Sequence, residues 1–205
     1  MAYNITEVSN FDNKRNKVTL DYSEVTFLLY KGECRKLGIS TDMQLPKELS
    51  DEAYRDIMDE ILIPRAKKRI LYYLKNGDKT RTQIKRKLKE GLYPDEVIEE
   101  TFKFLDKYGF ADDSGYADRY IEELRGNKSK REIEMKLSEK GIRGSEVKEK
   151  LSLLSAEDEY EACERTLKRK YPGGVTKEDR NKAFAYLARR GFSYDSIEHA
   201  FNSCD

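Results

Sequence analysis

Lysine and arginine hold most of the usable chemistry in this sequence, and their spacing gathers them into rows. Arg81, Lys85, Arg86 and Lys89 surround Ile84 and Leu88 at intervals that, on a helix, leave the cations on the face away from the two apolar residues. Lys130, Arg131 and Lys136 stand similarly about Ile133 and Leu137, and Lys182, Arg189 and Arg190 about Ala183 and Leu187. Such faces can form charge-assisted hydrogen bonds to phosphates or carboxylates, so residue type alone does not separate a nucleic-acid backbone from an acidic protein surface. Tyrosine is abundant at 14 residues, but most fall on apolar stripes, where core packing accounts for them better than base stacking.

The inventory for catalysis is thin. The single histidine, His199, sits beside Ala200 and Phe201 near the chain end, a poor setting for a ligand or general base. No phosphate-binding loop, dinucleotide fingerprint, HExxH or GxSxG motif occurs, and Gly173-Gly174 after Pro172 is a turn. Carboxylates have lysines and arginines three or four positions away, the spacing of ordinary helical ion pairs. Asp112-Asp113 reads as a helix start, not a magnesium site. Cys34, Cys163 and Cys204 are widely spaced with no CxxC pair, which argues against a disulfide framework or a zinc site. The expectation is a protein that is not an enzyme and holds no metal or cofactor.

Charged residues make up 39% of the 205 residues, against roughly 25% in an average globular protein. With 38% hydrophobic residues, the core must be thin and spread over narrow stripes. No run approaches the ~18 apolar residues of a membrane span, and the start of the chain lacks a secretion signal, so the expected setting is the cytoplasm. The net charge of +1 conceals strong patterning. Residues 65–90 carry 11 basic and 2 acidic groups, 125–150 carry 9 and 5, and 165–191 carry 9 and 2, with acidic stretches between them. Stripes of this strength point to a charged partner.

The elements that must position these rows repeat. Gly91, Gly141 and Gly191 are 50 residues apart, each preceded by a leucine (Leu88, Leu137, Leu187) and followed six residues later by Val97, Val147 or Ile197. A glycine after each short helix suits the left-handed position that ends it. Thr80 with Gln83 and Ser129 with Glu132 fit the capping box, Thr176 is a weaker start, and Pro94 suits the first position of the next helix. A further helix precedes each pair, at about 65–75, 114–125 and 156–170. Three tandem three-helix units follow, over 63–110, 111–154 and 155–205, expected to stack by covering one another's apolar edges in an elongated array.

Residues 1–62 differ. Val18, Leu20 and Tyr22, then Val25, Phe27 and Leu29, alternate with polar residues as two strands around Ser23, and Tyr3, Ile5 and Val8 fit a third. Asp51 to Leu62, behind Ser50, reads as a helix that Pro64 ends or resets. The fold class is therefore mainly α, preceded by a small α+β region that either seals the first triplet or offers a surface of its own.

Gly109-Phe110-Ala111-Asp112-Asp113 with Tyr116-Ala117 and Tyr120-Ile121, then Gly126 with Ser129-Lys130-Arg131-Glu132-Ile133 and Leu137 with Lys140-Gly141-Ile142, resembles the central signature of the RecX family of recombination regulators. Tyr186-Leu187, Arg189-Arg190-Gly191-Phe192 and Ile197 resemble its C-terminal signature, and the likeness spans about residues 65–202. The resemblance implies a non-catalytic protein of three-helix repeats. It would bind RecA, or the RecA filament on single-stranded DNA, and restrain ATP hydrolysis, strand exchange and recombination. No family motif marks filament contacts, so the candidate contacts are the ten basic residues named above, chosen by charge. The alternative is a helical module acting directly on single- or double-stranded DNA through the same residues, although the acidic helices would then flank a duplex.

Overall fold

The computed structural model describes residues 3–21 and 25–203. Tyr22, Ser23 and Cys204 lie outside the described residues. The chain divides into two compact units, Met1–Ala111 and Asp112–Asp205.

In the first unit, β1 (Tyr3–Asn10), β2 (Arg15–Leu20), β3 (Thr26–Tyr30) and β4 (Lys47–Leu49) form an antiparallel sheet in the order β3-β2-β1-β4. Val18 lies opposite both Val8 and Phe27, giving one buried row across three strands. Ile5 and Val8 are both buried although three apart, because the register shifts between Ile5 and Glu7 and the extra residue restores the inward face. β4 and α1 (Lys31–Lys36) are elements beyond those the sequence predicts. Each is too short to show a period, and β4 buries only Leu49.

Ser50 caps the next helix as expected, accepting from the Ala53 amide at 3.1 Å. Pro64 does not end it. α2 (Asp51–Arg55) widens into a π-helical stretch, Asp56–Leu62, and continues as α3 (Ile63–Leu74) with Pro64 in its first turn. The wider turn accommodates a residue that lacks an N–H and would crowd the carbonyl one α-turn back. α4 (Arg81–Lys89) begins with the expected capping box, Thr80 Oγ1 accepting from the Gln83 amide at 3.2 Å and Gln83 Oε1 accepting from the Thr80 amide at 3.0 Å. α5 (Asp95–Lys107) follows, with Pro94 at its N-cap, one place earlier than expected. Phe27 and Leu29 of the sheet share one core with Ile57, Ile70, Ile84, Leu88, Val97 and Leu105. The α+β region thus seals the first triplet.

The second unit holds α6 (Asp113–Leu124), α7 (Lys130–Glu139), α8 (Ser145–Ser152), α9 (Ala156–Lys170), α10 (Arg180–Arg189) and α11 (Tyr194–Asn202). Asp112 is the N-cap of α6, its carboxylate accepting from the Gly115 amide at 2.9 Å. Ile121, Ile133, Leu137, Val147 and Leu151 build one core, and Cys163, Leu167, Leu187, Ile197 and Phe201 another.

The glycine repeat needs a correction of one residue. After each middle helix, an amide bonds back to the leucine carbonyl: Tyr93 to Leu88 at 3.3 Å, Ile142 to Leu137 at 2.9 Å, Phe192 to Leu187 at 3.4 Å. The left-handed residue before that amide is Gly141 (φ 88°) and Gly191 (φ 86°) in the later triplets, but Leu92 (φ 53°) in the first. Gly91 serves another purpose. A Cβ there would come within 2.8 Å of the Tyr93 ring, so its role is close approach.

Candidate functional site

The middle helices α4, α7 and α10 carry all ten candidate cations or end on them. Superposing the triplets on Leu88, Leu137 and Leu187 aligns Arg81, Lys130 and Arg180 at the first helical position. Each is tied to the third helix of its own triplet or, for Lys130, to the chain just beyond it. Arg81 pairs with Asp106 and lies 4.6 Å from the Phe102 ring centre; Lys130 donates to the Leu154 carbonyl at 2.7 Å; Arg180 pairs with Glu198 at 3.2 Å and lies 4.5 Å from Phe201. These cations hold triplets together, and Arg180 was absent from the sequence-based set.

Arg190 is also engaged. Its guanidinium reaches Glu132 Oε1 at 3.1 Å, which Lys128 approaches at 3.2 Å, and it lies 4.9 Å from the Tyr186 ring centre. Ser129 caps α7 by accepting from the Glu132 amide at 3.1 Å, while its hydroxyl donates to the Arg190 carbonyl at 2.5 Å. The expected capping box is therefore half made. Glu132 turns away from the Ser129 amide because two cations offer a stronger partner than a neutral N–H. Gly191 lies against the stem of Arg131, and Arg165 donates to Asn127 Oδ1 at 3.2 Å. The second and third triplets are thus joined by polar contacts, where the sequence suggested apolar edges.

Two further candidates form exposed pairs, Lys89 with Asp95 at 2.6 Å and Lys182 with Asp179 at 3.0 Å. The hydrogen bond between Lys182 and Asp179 raises the lysine's pKa and lowers the aspartate's. Exposed pairs of this kind contribute about 0–1 kcal/mol and exchange readily for another anion. The remaining five differ. Lys85, Arg86, Arg131 and Arg189 are exposed and Lys136 half-buried, and among the described residues none of them forms an ion pair. His199 is occupied within its triplet, stacked on Tyr160 at 4.2 Å with Nδ1 3.4 Å from Glu164. Among the described residues, no helix is long and apolar enough to cross a membrane.

Three-helix units with local cores, an α+β region sealing the first, and middle helices that face outward with charge define a helical-repeat protein. Residues 66–105 match the family model for the first three-helix domain of RecX, and residues 157–201 match that for the third. Regulatory protein RecX of Clostridium acetobutylicum is 35% identical over 150 residues, 70% of each chain. A crystal structure of regulatory protein RecX superposes over 98% of this chain and 99% of its own with a TM-score of 0.63; at 23% identity this is a likeness of fold. RecX from Lactobacillus salivarius, 26% identical, covers 70% of this chain and 97% of its own with a TM-score of 0.58. The chain belongs to the RecX family of regulatory proteins.

Proposed function

We propose that this protein is a non-catalytic regulator that binds RecA, or the RecA filament on single-stranded DNA, and inhibits its ATP hydrolysis, strand exchange and recombination in the cytoplasm. Its contacts are the cations of the middle helices that no carboxylate neutralises among the described residues: Lys85, Arg86, Arg131, Lys136 and Arg189. Lys89 and Lys182 join them by exchanging their exposed pairs. The observation that carries the reading is that, among the described residues of a chain rich in carboxylates, these five form no ion pair, while their neighbours Arg81, Lys130 and Arg190 are tied down. A cation left without an anion at a solvated surface costs little and is available to an acidic partner. Several such faces on one chain can engage successive subunits of a filament, so that weak contacts multiply.

The test measures single-stranded-DNA-dependent ATP hydrolysis by RecA with the protein added, then with Lys85→Glu/Arg86→Glu. Arg81 is left intact because its loss would loosen the first triplet. The concentration needed for half-inhibition should rise about tenfold or more. Inhibition equal to that of the native chain would remove the first triplet from the contact surface.

A further inference from the structure

A cleft of about 300 Å³ in the first unit is lined by Arg15, Leu28, Tyr30, Leu62, Arg65, Lys68, Arg69, Tyr72, Leu92 and Tyr93, and none of the ten candidate cations belongs to it. Four of its residues come from α3 at one helical spacing, Arg65, Lys68, Arg69 and Tyr72, so a single face of that helix forms the cationic wall. Two of the cations are committed: Arg15 pairs with Asp12 at 2.6 Å, and Arg65 pairs with Glu33 and donates to the Leu28 carbonyl at 3.0 Å. Lys68 and Arg69 form no ion pair among the described residues, and the Arg69 Nε is buried without an acceptor. A guanidinium N–H taken from water and given nothing in return is costly unless an incoming oxygen satisfies it. Beside these cations stands the Tyr72 ring at 70% exposure, while the Tyr30 ring is covered by the Arg65 guanidinium, 4.7 Å from its centre. Tyr93 also lines the cleft, and burial pushes its hydroxyl pKa up.

We propose that this cleft binds a nucleotide unit, with its phosphate on Lys68 and Arg69 and its base against the Tyr72 ring. A carboxylate side chain would satisfy the cations but leave the Tyr72 ring and the half-buried Leu92 uncovered. A planar base attached to a phosphate covers both, and the cleft's volume suits one such unit. The same chemistry is offered by a residue of a single strand and by a free nucleotide. The site is independent of the RecA reading, because it uses other residues and its test contains no RecA.

The experiment is fluorescence polarisation of a labelled 20-nucleotide oligothymidylate with the full chain, titrated against Tyr72→Ala, Lys68→Ala and Arg69→Gln. Tyr72 and Lys68 are exposed, so their variants keep the fold, which circular dichroism verifies. Loss of about tenfold in affinity for Tyr72→Ala, and a comparable loss for Lys68→Ala or Arg69→Gln, is the expected result. Displacement of the probe by thymidine monophosphate identifies a free nucleotide as occupant; displacement only by unlabelled strand identifies a polymer. Native affinity in Tyr72→Ala, no binding by the native chain, or displacement by polyglutamate as efficient as by unlabelled strand would overturn the proposal.

Discussion

Replacing Gly191 with alanine should damage the second unit more than an ordinary glycine substitution, and the structure says by how much. The residue has φ 86°, where a Cβ costs about 1–2 kcal/mol. The added Cβ would also lie 2.6 Å from Arg131 Cβ and 2.7 Å from Arg131 Cδ. Rotating the arginine side chain relieves the second contact but not the first, since Cβ is fixed by the backbone of α7. Forced overpacking of this kind adds about 1–3 kcal/mol, for a total of about 2–5 kcal/mol. Gly174 provides the control, with φ 87° and open space around its Cβ position, so Gly174→Ala should cost only the conformational 1–2 kcal/mol or so. Because the chain has two units, a single melting curve does not report one equilibrium. Hydrogen exchange by mass spectrometry, in a urea series, reads opening free energies of peptides within 129–203 directly. Equal losses for the two variants would refute the packing of the α10–α11 turn against α7.

Two other outcomes test the polar joint and the hairpin. Glu132→Gln and Arg190→Gln should each destabilise the second unit by about 1–3 kcal/mol, while the double variant costs clearly less than their sum; additive losses in the same exchange assay would mean that the 3.1 Å pair does not couple the triplets. Asp12 is held down to about 2 by the Arg15 side-chain hydrogen bond, with a further bond from the Lys14 amide. A carboxylate whose pKa is lowered in the folded state stabilises that state above its unfolded pKa, near 3.9, and ceases to do so as pH falls through the folded value. The β1–β2 turn should therefore stay intact at pH 5 and lose its Asp12 bonds between about pH 4 and 2. Carboxyl chemical shifts of Asp12 across that range check this, and a midpoint near 4 would contradict it.

The helical plan was legible because it is written locally. Thr80, Ser129 and Asp112 cap the helices at which they stand, and Leu88, Leu137 and Leu187 mark the buried faces. Elsewhere a tertiary contact outweighs a local rule. Gly91 was aligned with Gly141 and Gly191 by residue type, yet the left-handed position belongs to Leu92, and Gly91 is small because Tyr93 folds over it. Ser129 and Glu132 have the spacing of a capping box, but of the two boxes expected from sequence only that of Thr80 and Gln83 closes. Gln83 is neutral and its helix start has no pair of approaching cations, whereas Glu132 meets Lys128 and Arg190. Whether Pro64 ends or resets its helix is open in the sequence, because a π-helical turn leaves no periodicity of its own to read; the helix resets and continues. The candidate surface was visible as a list of cations and no further, since pairing depends on which carboxylate the fold brings near.

That pairing separates residues that maintain the molecule from residues that can be spent on a partner. Glu132 is only 14% exposed, and removing Arg190 would leave its carboxylate at a joint where Oε2 already lacks a partner. A filament that drew Arg190 away would have to supply more than the lost bond, because the anion left behind is partly desolvated. Lys182, with its side chain 77% exposed, carries no such penalty, and Lys85, Arg86 and Arg189 have no ion-pair partner to abandon among the described residues. Charge reversal at this second group should alter binding and leave exchange protection unchanged, while reversal at Arg81 or Arg190 should alter both. A basic residue in this fold is therefore a useful probe of recognition only if its nearest carboxylate is far away or bathed in water.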